Sequence, residues 1–262
     1  MTIVMYHRLD PEVADRHFSA LRRHYTPISL QAYLAARRGD PLRRLPPKAV
    51  IVTIDDGHRS VHRLKSVTAK HRMPVTVFLC SGLVGTNRWF WFSAPGLSAA
   101  EREHLKTVPD ERRVAALQAL GFDQSHEFSD RETLSADEIG DLRNLIDFQG
   151  HSASHPILSA CSDTKAMEEL DNSKRQLEQQ FGLRVNALAY PNGSYTTREI
   201  QIARQTGYEC ALTTTAGFND RRTPPYELRR MTVRDDCGVS ELLVRACGLW
   251  AFLRLTRSFA GD

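Results

Sequence analysis

Short apolar segments alternate with amphipathic segments along nearly the whole chain. Six mostly apolar runs end in polar or turn residues, at positions 3–6, 50–54, 75–79, 145–148, 185–190 and 210–214. Their apolarity is continuous rather than alternating, which is typical of strands buried on both faces of a parallel sheet. Between them lie helical patterns, over residues 16–24, 136–144, 165–181 and 197–205. The alternation predicts an α/β fold, either a barrel or a doubly wound sheet.

Residues 86–135 interrupt this rhythm, because they contain no good strand pattern. They carry the aromatic cluster Trp89-Phe90-Trp91-Phe92 and then a polar helical stretch near residues 111–120. A connection of this length is usually an insertion with a helix of its own. In one interpretation the aromatic residues fill the underside of the insertion, and in the other Trp89 and Trp91 contact a substrate. Since no Pro/Gly/Ser-rich linker divides the chain, we expect residues 1–262 to form a single domain with this inserted segment.

Composition narrows the class of protein only a little. Apolar residues make up 41% and charged residues 25% of the 262 residues, and the net charge is +4. These values exclude a disordered or coiled-coil chain and give no reason to expect a nucleic-acid partner. Five cysteines without a C-x-x-C pair fit a reducing compartment. With no signal-peptide pattern and no apolar run of ~20 residues, a soluble cytoplasmic protein is expected.

Two adjacent carboxylates, Asp55 and Asp56, directly follow the predicted strand of residues 50–54. At the end of a buried strand they repel each other and lose solvation unless a cation or a proton is present. Because successive strand residues point to opposite sides, we expect one carboxylate to bind a metal and the other to act as a base. A plain Asp-Asp-Gly turn is the alternative for the triplet taken alone.

His151 and His155 form a second candidate pair, four residues apart in His-Ser-Ala-Ser-His-Pro. Pro156 disfavours a helical conformation at His155, so we expect a strand end followed by a turn. Two histidines and one carboxylate would bind a divalent cation and leave positions open for water and substrate, as in catalytic sites. A surface turn also fits the pair alone, but two such motifs, each at the end of a buried strand, favour a metal site.

The sequence resembles the polysaccharide deacetylases of carbohydrate esterase family four. The family's T-F-D-D-G motif appears at residues 53–57, its H-[ST]-x-x-H motif at residues 151–155, and a motif like R-x-P-x-G-x-Y at residues 189–195. An amino-terminal Tyr6-His7 and a late Leu-Arg-Arg-Met stretch at residues 228–231 recur in one branch of the family. The resemblance implies a distorted (β/α)7 TIM-like barrel and covers nearly the whole chain outside residues 86–135.

The resemblance also implies roles for the residues of the first two motifs. Asp55 is expected to be the general base, and Asp56, His151 and His155 are expected to hold a divalent metal. Zinc is the family's usual metal, although cobalt, nickel or manganese can serve. The metal would polarise an amide carbonyl and lower the pKa of a bound water, whose proton Asp55 would take.

The third motif departs from the family at its first position. Many members have an arginine there that orients the catalytic aspartate, whereas this chain has Ala189. We expect Arg230 to supply the missing guanidinium, with a surface cation as the alternative interpretation. The backbone N–H of Asn192 matches the family's oxyanion donor, and Tyr190 and Pro191 are expected to contact the substrate.

The family's fifth motif, L-x-H, has no clear counterpart, although its histidine acts as general acid for the leaving amine. Residues 212–214 and 228–230 both lack a histidine. His7, at the end of the first predicted strand, is one candidate substitute, and bulk water is the other. A hydrogen-bonded histidine at the end of the barrel is the alternative interpretation of His7.

The C-terminal stretch of residues 240–259 has the pattern of a basic amphipathic helix. It combines Leu243 and Trp250 with cationic residues such as Arg254 and Arg257. Such a helix either packs on the barrel with its arginines outward or lies on a membrane surface. In the second case the protein would contact the inner face of the membrane peripherally.

The expected function is therefore metal-dependent removal of the N-acetyl group from an amino sugar. The substrate would be a glycan, a lipid-linked or nucleotide-linked sugar, or a glycosylated natural product, and the products a free amine and acetate. A deformylase or another amide C–N hydrolase with the same site is one alternative. A non-catalytic glycan-binding or membrane-binding protein on the same fold is the other.

Overall fold

Every strand pair of the central sheet is parallel, as continuous apolarity predicts. The computed structural model describes residues 1–39 and 45–249. Its strands are β1 (Thr2–Tyr6), β2 (Thr26–Pro27), β3 (Ala49–Ile54), β4 (Val75–Leu79), β5 (Ile146–Gly150), β6 (Ala187–Ala189), β7 (Cys210–Leu212) and β8 (Met231–Thr232). Its α-helices are α1 (Pro11–His24), α2 (Leu30–Arg37), α3 (Lys65–His71), α4 (Ala99–Leu105), α5 (Asp110–Ala119), α6 (Ala136–Leu142), α7 (Asp163–Phe181), α8 (Thr197–Gln205) and α9 (Val239–Ala246).

The sheet curls into a barrel that residues 228–232 close. Its strand order is β7-β6-β5-β4-β3-β1-β8, with β2 paired to the start of β3. Leu228 forms a parallel bridge with Leu212 of β7, and Met231 pairs with Val4 of β1. The same short segment therefore contacts both edges of the curved sheet. The expected distorted (β/α)7 barrel is confirmed.

The barrel interior is apolar near the amino ends of the strands, where α2 plugs it. Strand residues such as Ile3, Ile51 and Phe78 form one buried cluster with Leu30, Tyr33 and Leu34 of α2. A larger cluster lies between the outer faces of the strands and the surrounding helices. Because the plug fills one end, polar side chains are left to converge at the other end, beyond the carboxyl ends of the strands.

Several elements are shorter than predicted or absent from the prediction. The predicted strands at 185–190 and 210–214 are only three residues long, as β6 and β7. Helix α1 starts at Pro11, because Asp10 caps it and proline suits the first turn. The patterns did not indicate β2, β8, α2 or α3, whose shortness gives little periodicity to recognise.

Residues 86–135 form a segment with its own small core. It contains α4 and α5, and its apolar side chains pack in a cluster separate from the barrel core, including Trp91, Leu105, Leu117 and Phe122. Ile157, from the loop after β5, belongs to the same cluster. The inserted segment therefore packs against the part of the barrel that carries His151 and His155.

The predicted C-terminal helix is described only in part. Helix α9 covers Val239–Ala246, whereas Trp250, Arg254 and Arg257 lie outside the described residues. Among the helices that the structure describes, none is long and apolar enough to cross a membrane.

Truncating the α2 plug is expected to destabilise the whole barrel. Leu34 is only 3% exposed, so Leu34→Ala removes buried methyl groups and leaves a cavity. We expect a loss of about 2–5 kcal/mol in the free energy of unfolding, measured by urea denaturation. Leu120→Ala is the matched control, because that side chain is 45% exposed and its loss should change stability by less than about 0.5 kcal/mol. Equal stability of the two variants would contradict this account of the plug.

Candidate active site

The carboxyl ends of β3 and β5 bring the two predicted motifs together. Asp56 follows β3 by two residues, and His151 follows β5 directly. One ligand atom from each of Asp56, His151 and His155 lies within 4.8 Å of the others. The structure thus gathers the three side chains that the sequence predicts as metal ligands.

The two imidazole rings face one carboxylate oxygen. The Nε2 atoms of His151 and His155 each lie 3.4 Å from Oδ1 of Asp56. Nδ1 of His151 is 2.7 Å from the backbone carbonyl oxygen of Ala189. That contact requires the proton on Nδ1, which leaves the Nε2 lone pair free for a metal, the arrangement typical of metal-bound histidine.

The polar atoms of this cluster suit a divalent cation. Oδ1 of Asp56 is buried and, within the described part of the chain, has no well-aligned hydrogen-bond donor. Burial works against the ionised form of Asp56, but the neighbouring histidines outweigh it and hold its pKa well below the usual range. Burial lowers the pKa of His155, which favours the neutral ring that binds metals. Two imidazoles and a carboxylate form an established donor set for zinc.

Left-handed backbone conformations concentrate at this end of the barrel. Asp56, Ser152, His155 and Asn192 have φ angles of 73°, 63°, 60° and 56°. Such angles are uncommon for residues other than glycine, and they persist where surrounding contacts over-determine the backbone. At Asp56 and His155 the unusual backbone belongs to a residue whose side chain faces the shared centre.

Asp55 forms a buried ion pair with Arg230. Nη1 and Nη2 of Arg230 donate to Oδ1 and Oδ2 of Asp55, each at 2.7 Å. Arg230 is 0% exposed, and its Nε donates to the carbonyl oxygen of Thr213 at 2.7 Å. The contact between Arg230 and Asp55 is the one expected from the sequence, and it excludes a surface position for Arg230.

The ion pair keeps Asp55 ionised in a buried place. Burial raises the pKa of Asp55, but the charge and hydrogen bonds of Arg230 together with the charge of His151 outweigh burial, and the net pKa is lowered. The charge of His7 adds a smaller effect in the same direction. The backbone N–H of His7 donates to Asp235 at 2.9 Å, which fixes the chain at the end of β1. His7 thus lies close enough to the site to act on Asp55 electrostatically.

The third motif turns sharply beside the histidines. Pro191 is buried, whereas Asn192 is exposed and its side-chain amide donates to Ser194 at 3.1 Å. Tyr190 is fully buried, stacks on Tyr195 with ring centroids 4.9 Å apart, and donates to the carbonyl oxygen of Tyr226. Tyr190 and Pro191 are therefore not suited to the substrate contact expected from the sequence, because both side chains are buried.

The two tryptophans of the inserted segment lie in different surroundings. Trp91 is 1% exposed, and its Nε1 donates to the carbonyl oxygen of His155 at 3.0 Å. This placement does not suit Trp91 to the expected substrate contact and instead makes it a support for His155. Trp89 is half-buried, stacks on Phe128 with centroids 4.3 Å apart, and donates to the carbonyl oxygen of Asp130.

The sequence patterns did not predict the residues that hold the loop of residues 152–155, which carries His155, in place. Glu169 of α7 accepts three hydrogen bonds from the loop, and Gln124 of the inserted segment donates to the carbonyl oxygen of Ser154 at 2.9 Å. One signal was present: Glu169 adjoins the buried stripe of α7 formed by Ala166, Leu170 and Leu177. A carboxylate on an apolar helix face needs a polar partner.

Comparison with known proteins assigns the family. The model of the polysaccharide deacetylase family matches residues 43–211. The chain belongs to the polysaccharide deacetylase family. Membership confirms the resemblance that the sequence motifs indicate.

A curated relative agrees with this assignment. The chain is 23% identical over 238 residues to the poly-beta-1,6-N-acetyl-D-glucosamine N-deacetylase of Escherichia coli strain K12, and the alignment covers 82% of this chain. It covers 34% of that relative, so the chain spans about a third of the relative's length.

Two solved structures share the fold. The deacetylase PplD of Streptococcus pyogenes, solved in complex with acetate, has a TM-score of 0.69 at 20% identity and covers 94% of this chain and 97% of its own. IcaB from Ammonifex degensii has a TM-score of 0.67 at 20% identity, with 94% and 95% covered. The barrel is therefore similar over nearly its whole length to both.

Removing Arg230 is expected to destabilise the protein strongly, because it leaves the carboxylate of Asp55 buried without a partner. Breaking a buried pair in this way costs about 3–5 kcal/mol, so Arg230→Ala should lower the free energy of unfolding by that amount in urea denaturation. Arg229→Ala is the matched control, since the side chain of Arg229 is exposed. An R230A variant as stable as R229A would contradict the importance of the ion pair.

Proposed function

We propose that the protein is a metal-dependent N-deacetylase that removes the acetyl group from an N-acetylated amino sugar of a glycan. One observation carries the proposal: the expected base is held by an arginine side chain, and the three expected metal ligands form a separate cluster beside it. Asp55 is paired with Arg230, whereas the adjacent Asp56 faces His151 and His155. The two carboxylates thus have different partners and different tasks.

The metal site is proposed on Asp56, His151 and His155, with zinc as the first candidate and cobalt, nickel or manganese as substitutes. A divalent cation bound there would polarise the amide carbonyl and acidify a water molecule. The tautomer of His151 is set by its contact with Ala189, so its Nε2 already presents a lone pair to the cation.

Asp55 is proposed to accept the proton of the attacking water. Arg230 holds both carboxylate oxygens of Asp55 and keeps it ionised at neutral pH. A carboxylate of lowered pKa is a weak base, so its part in the reaction depends on a fixed position beside an acidified water. The backbone N–H of Asn192 is proposed to donate to the oxyanion, and His7 to protonate the leaving amine.

The glycan itself is proposed from the relatives. The name of the Escherichia coli relative gives a polymer of β-1,6-linked N-acetylglucosamine as its substrate. Short oligomers of that sugar are therefore the first substrates to test, followed by lipid-linked and nucleotide-linked N-acetylhexosamines and glycosylated natural products. Cytoplasmic location and peripheral membrane contact through residues 240–259 stay predictions.

Two other functions remain to be distinguished by experiment. An enzyme that removes a formyl or another acyl group would use the same residues and would release formate or another acid in place of acetate. A binding protein without activity would need neither the base nor its guanidinium, and the buried pair of Asp55 and Arg230 argues against it.

Asp55→Asn is expected to abolish most of the acetate release while leaving metal binding intact. Asparagine keeps the shape of the side chain but cannot take a proton, so kcat should fall by about 10²–10⁴-fold. Asp56→Asn should lose the metal as well as the activity. Acetate released from N-acetylglucosamine oligomers and the metal content of the purified variants provide the measurements. Wild-type protein that binds no divalent metal and releases no acetate from any N-acetylated sugar would overturn the proposed function.

Arg230→Lys tests how Arg230 acts on the base. Lysine keeps a positive charge but cannot hold both oxygens of Asp55 in a fixed plane, so we expect a lower kcat with little change in KM. Arg229→Lys is the control at the exposed neighbouring position. Full turnover by R230K would show that charge alone suffices, and full turnover by Arg230→Ala would exclude any role of Arg230 in the reaction.

A further inference from the structure

Residues 152–155 form a tight loop that carries the metal-facing side chain of His155. Two of its four residues, Ser152 and His155, have φ angles of 63° and 60°. Two non-glycine residues in the left-handed region of backbone conformation give the loop strain, which other contacts must offset. The position of the His155 ring therefore depends on what holds the loop.

The buried carboxylate of Glu169 holds the middle of this loop by hydrogen bonds. Oε2 of Glu169 accepts from the backbone N–H of Ala153 at 2.9 Å and of Ser154 at 2.8 Å. Its Oε1 accepts from the hydroxyl of Ser154 at 2.6 Å. Glu169 lies on α7 and is only 3% exposed, and hydrogen bonds to an acidic side chain are stronger than those between neutral groups.

The charge of Glu169 is balanced from its own helix. Nζ of Lys165 lies 3.1 Å from Oε1, one helical turn away. Because Lys165 compensates the negative charge, the structure tolerates the burial of Glu169 while both of its oxygens face the loop. Within the described residues, the polar contacts of Glu169 go to Ala153, Ser154 and Lys165 rather than to the three proposed metal ligands.

The four carbonyl oxygens of the loop and the N–H of His155 have other partners. The carbonyl oxygens of Ser152 and Ala153 accept from the N–H groups of Ser81 and Gly82. Those of Ser154 and His155 accept from Gln124 and Trp91, and the N–H of His155 donates to the hydroxyl of Ser152.

Among the backbone groups described for this loop, the N–H groups of Ala153 and Ser154 are the ones that depend on Glu169. Buried backbone groups are costly when unpaired, so loss of this carboxylate should release the loop from one side while its carbonyl oxygens stay held from the other.

From these contacts we infer that Glu169 is a positioning residue for the metal ligand His155. It acts through the loop: its carboxylate fixes the strained backbone in the one conformation that points the His155 ring at Asp56. The inference rests on the proposed function, because it takes Asp56, His151 and His155 as metal ligands. It adds a residue on α7, outside all the motifs of the sequence, to the parts on which metal binding depends.

The test measures metal affinity rather than turnover. Zinc is titrated into metal-free protein in competition with a chromophoric chelator, and cobalt is added separately to record its d–d absorption as a signature of ligand geometry. We expect Glu169→Ala to weaken zinc binding by about 10–100-fold, the usual range for groups that orient metal ligands, and to shift the cobalt spectrum. Glu169→Gln keeps an acceptor for the two N–H groups and should restore part of the affinity.

Glu168→Ala is the matched control, because it removes an exposed carboxylate from the neighbouring position of the same helix. It should bind both metals as the wild type does. If folded E169A also binds zinc within twofold of wild type and gives the same cobalt spectrum, the inference is wrong. If the wild type itself binds neither metal, the proposed function fails first.

A second pair of variants keeps the inference testable should E169A not fold. Ser154→Ala removes the hydroxyl that donates to Oε1 and leaves Lys165 to balance the charge, so we expect a loss of several-fold in zinc affinity. Wild-type affinity and cobalt spectra in both S154A and E169Q would overturn the inference.

Discussion

The bidentate ion pair between Asp55 and Arg230 links the closure of the barrel to its chemistry. Arg230 belongs to residues 228–232, the segment that contacts both edges of the curved sheet, and Asp55 follows β3, which only β1 separates from β8. Neither charge is stable in the interior alone, because desolvation of each costs several kcal/mol. The pair therefore forms only in the closed barrel, and the same contact orients the proposed base.

A second constraint comes from the backbone beyond the strand ends. Asp56 and His155 reach their common centre through left-handed conformations, which are unfavourable for isolated residues. At the loop of His155 the structure offsets this cost with hydrogen bonds. Trp91 donates to the carbonyl oxygen of His155, and Glu169 accepts from the N–H of Ala153. Rigid support of this kind suits a metal centre, since a ligand that is misplaced by about 1 Å loses much of its function.

The two histidines and two aspartates were predictable because each pair is local in sequence and follows an apolar strand. Arg230 was predicted from the resemblance, which left a guanidinium missing at Ala189. The burial of Trp91 and Tyr190 was not predictable, because an aromatic residue has the same pattern whether it faces a substrate or a core. The short elements β2, β8 and α2 were also not predicted, since their positions are fixed by long-range pairing rather than by periodicity.

The inserted segment supports the loop that carries His155. Contact with a substrate was one of two interpretations of its aromatic cluster, but Trp91 and Gln124 both donate to carbonyl oxygens of the His155 loop. Glu169 holds the N–H groups of the same loop from α7. Because the two elements hold different backbone groups of the loop, a change in either one can displace His155. Variation in the inserted segment should therefore change the geometry of the proposed metal centre as well as any contact with the glycan.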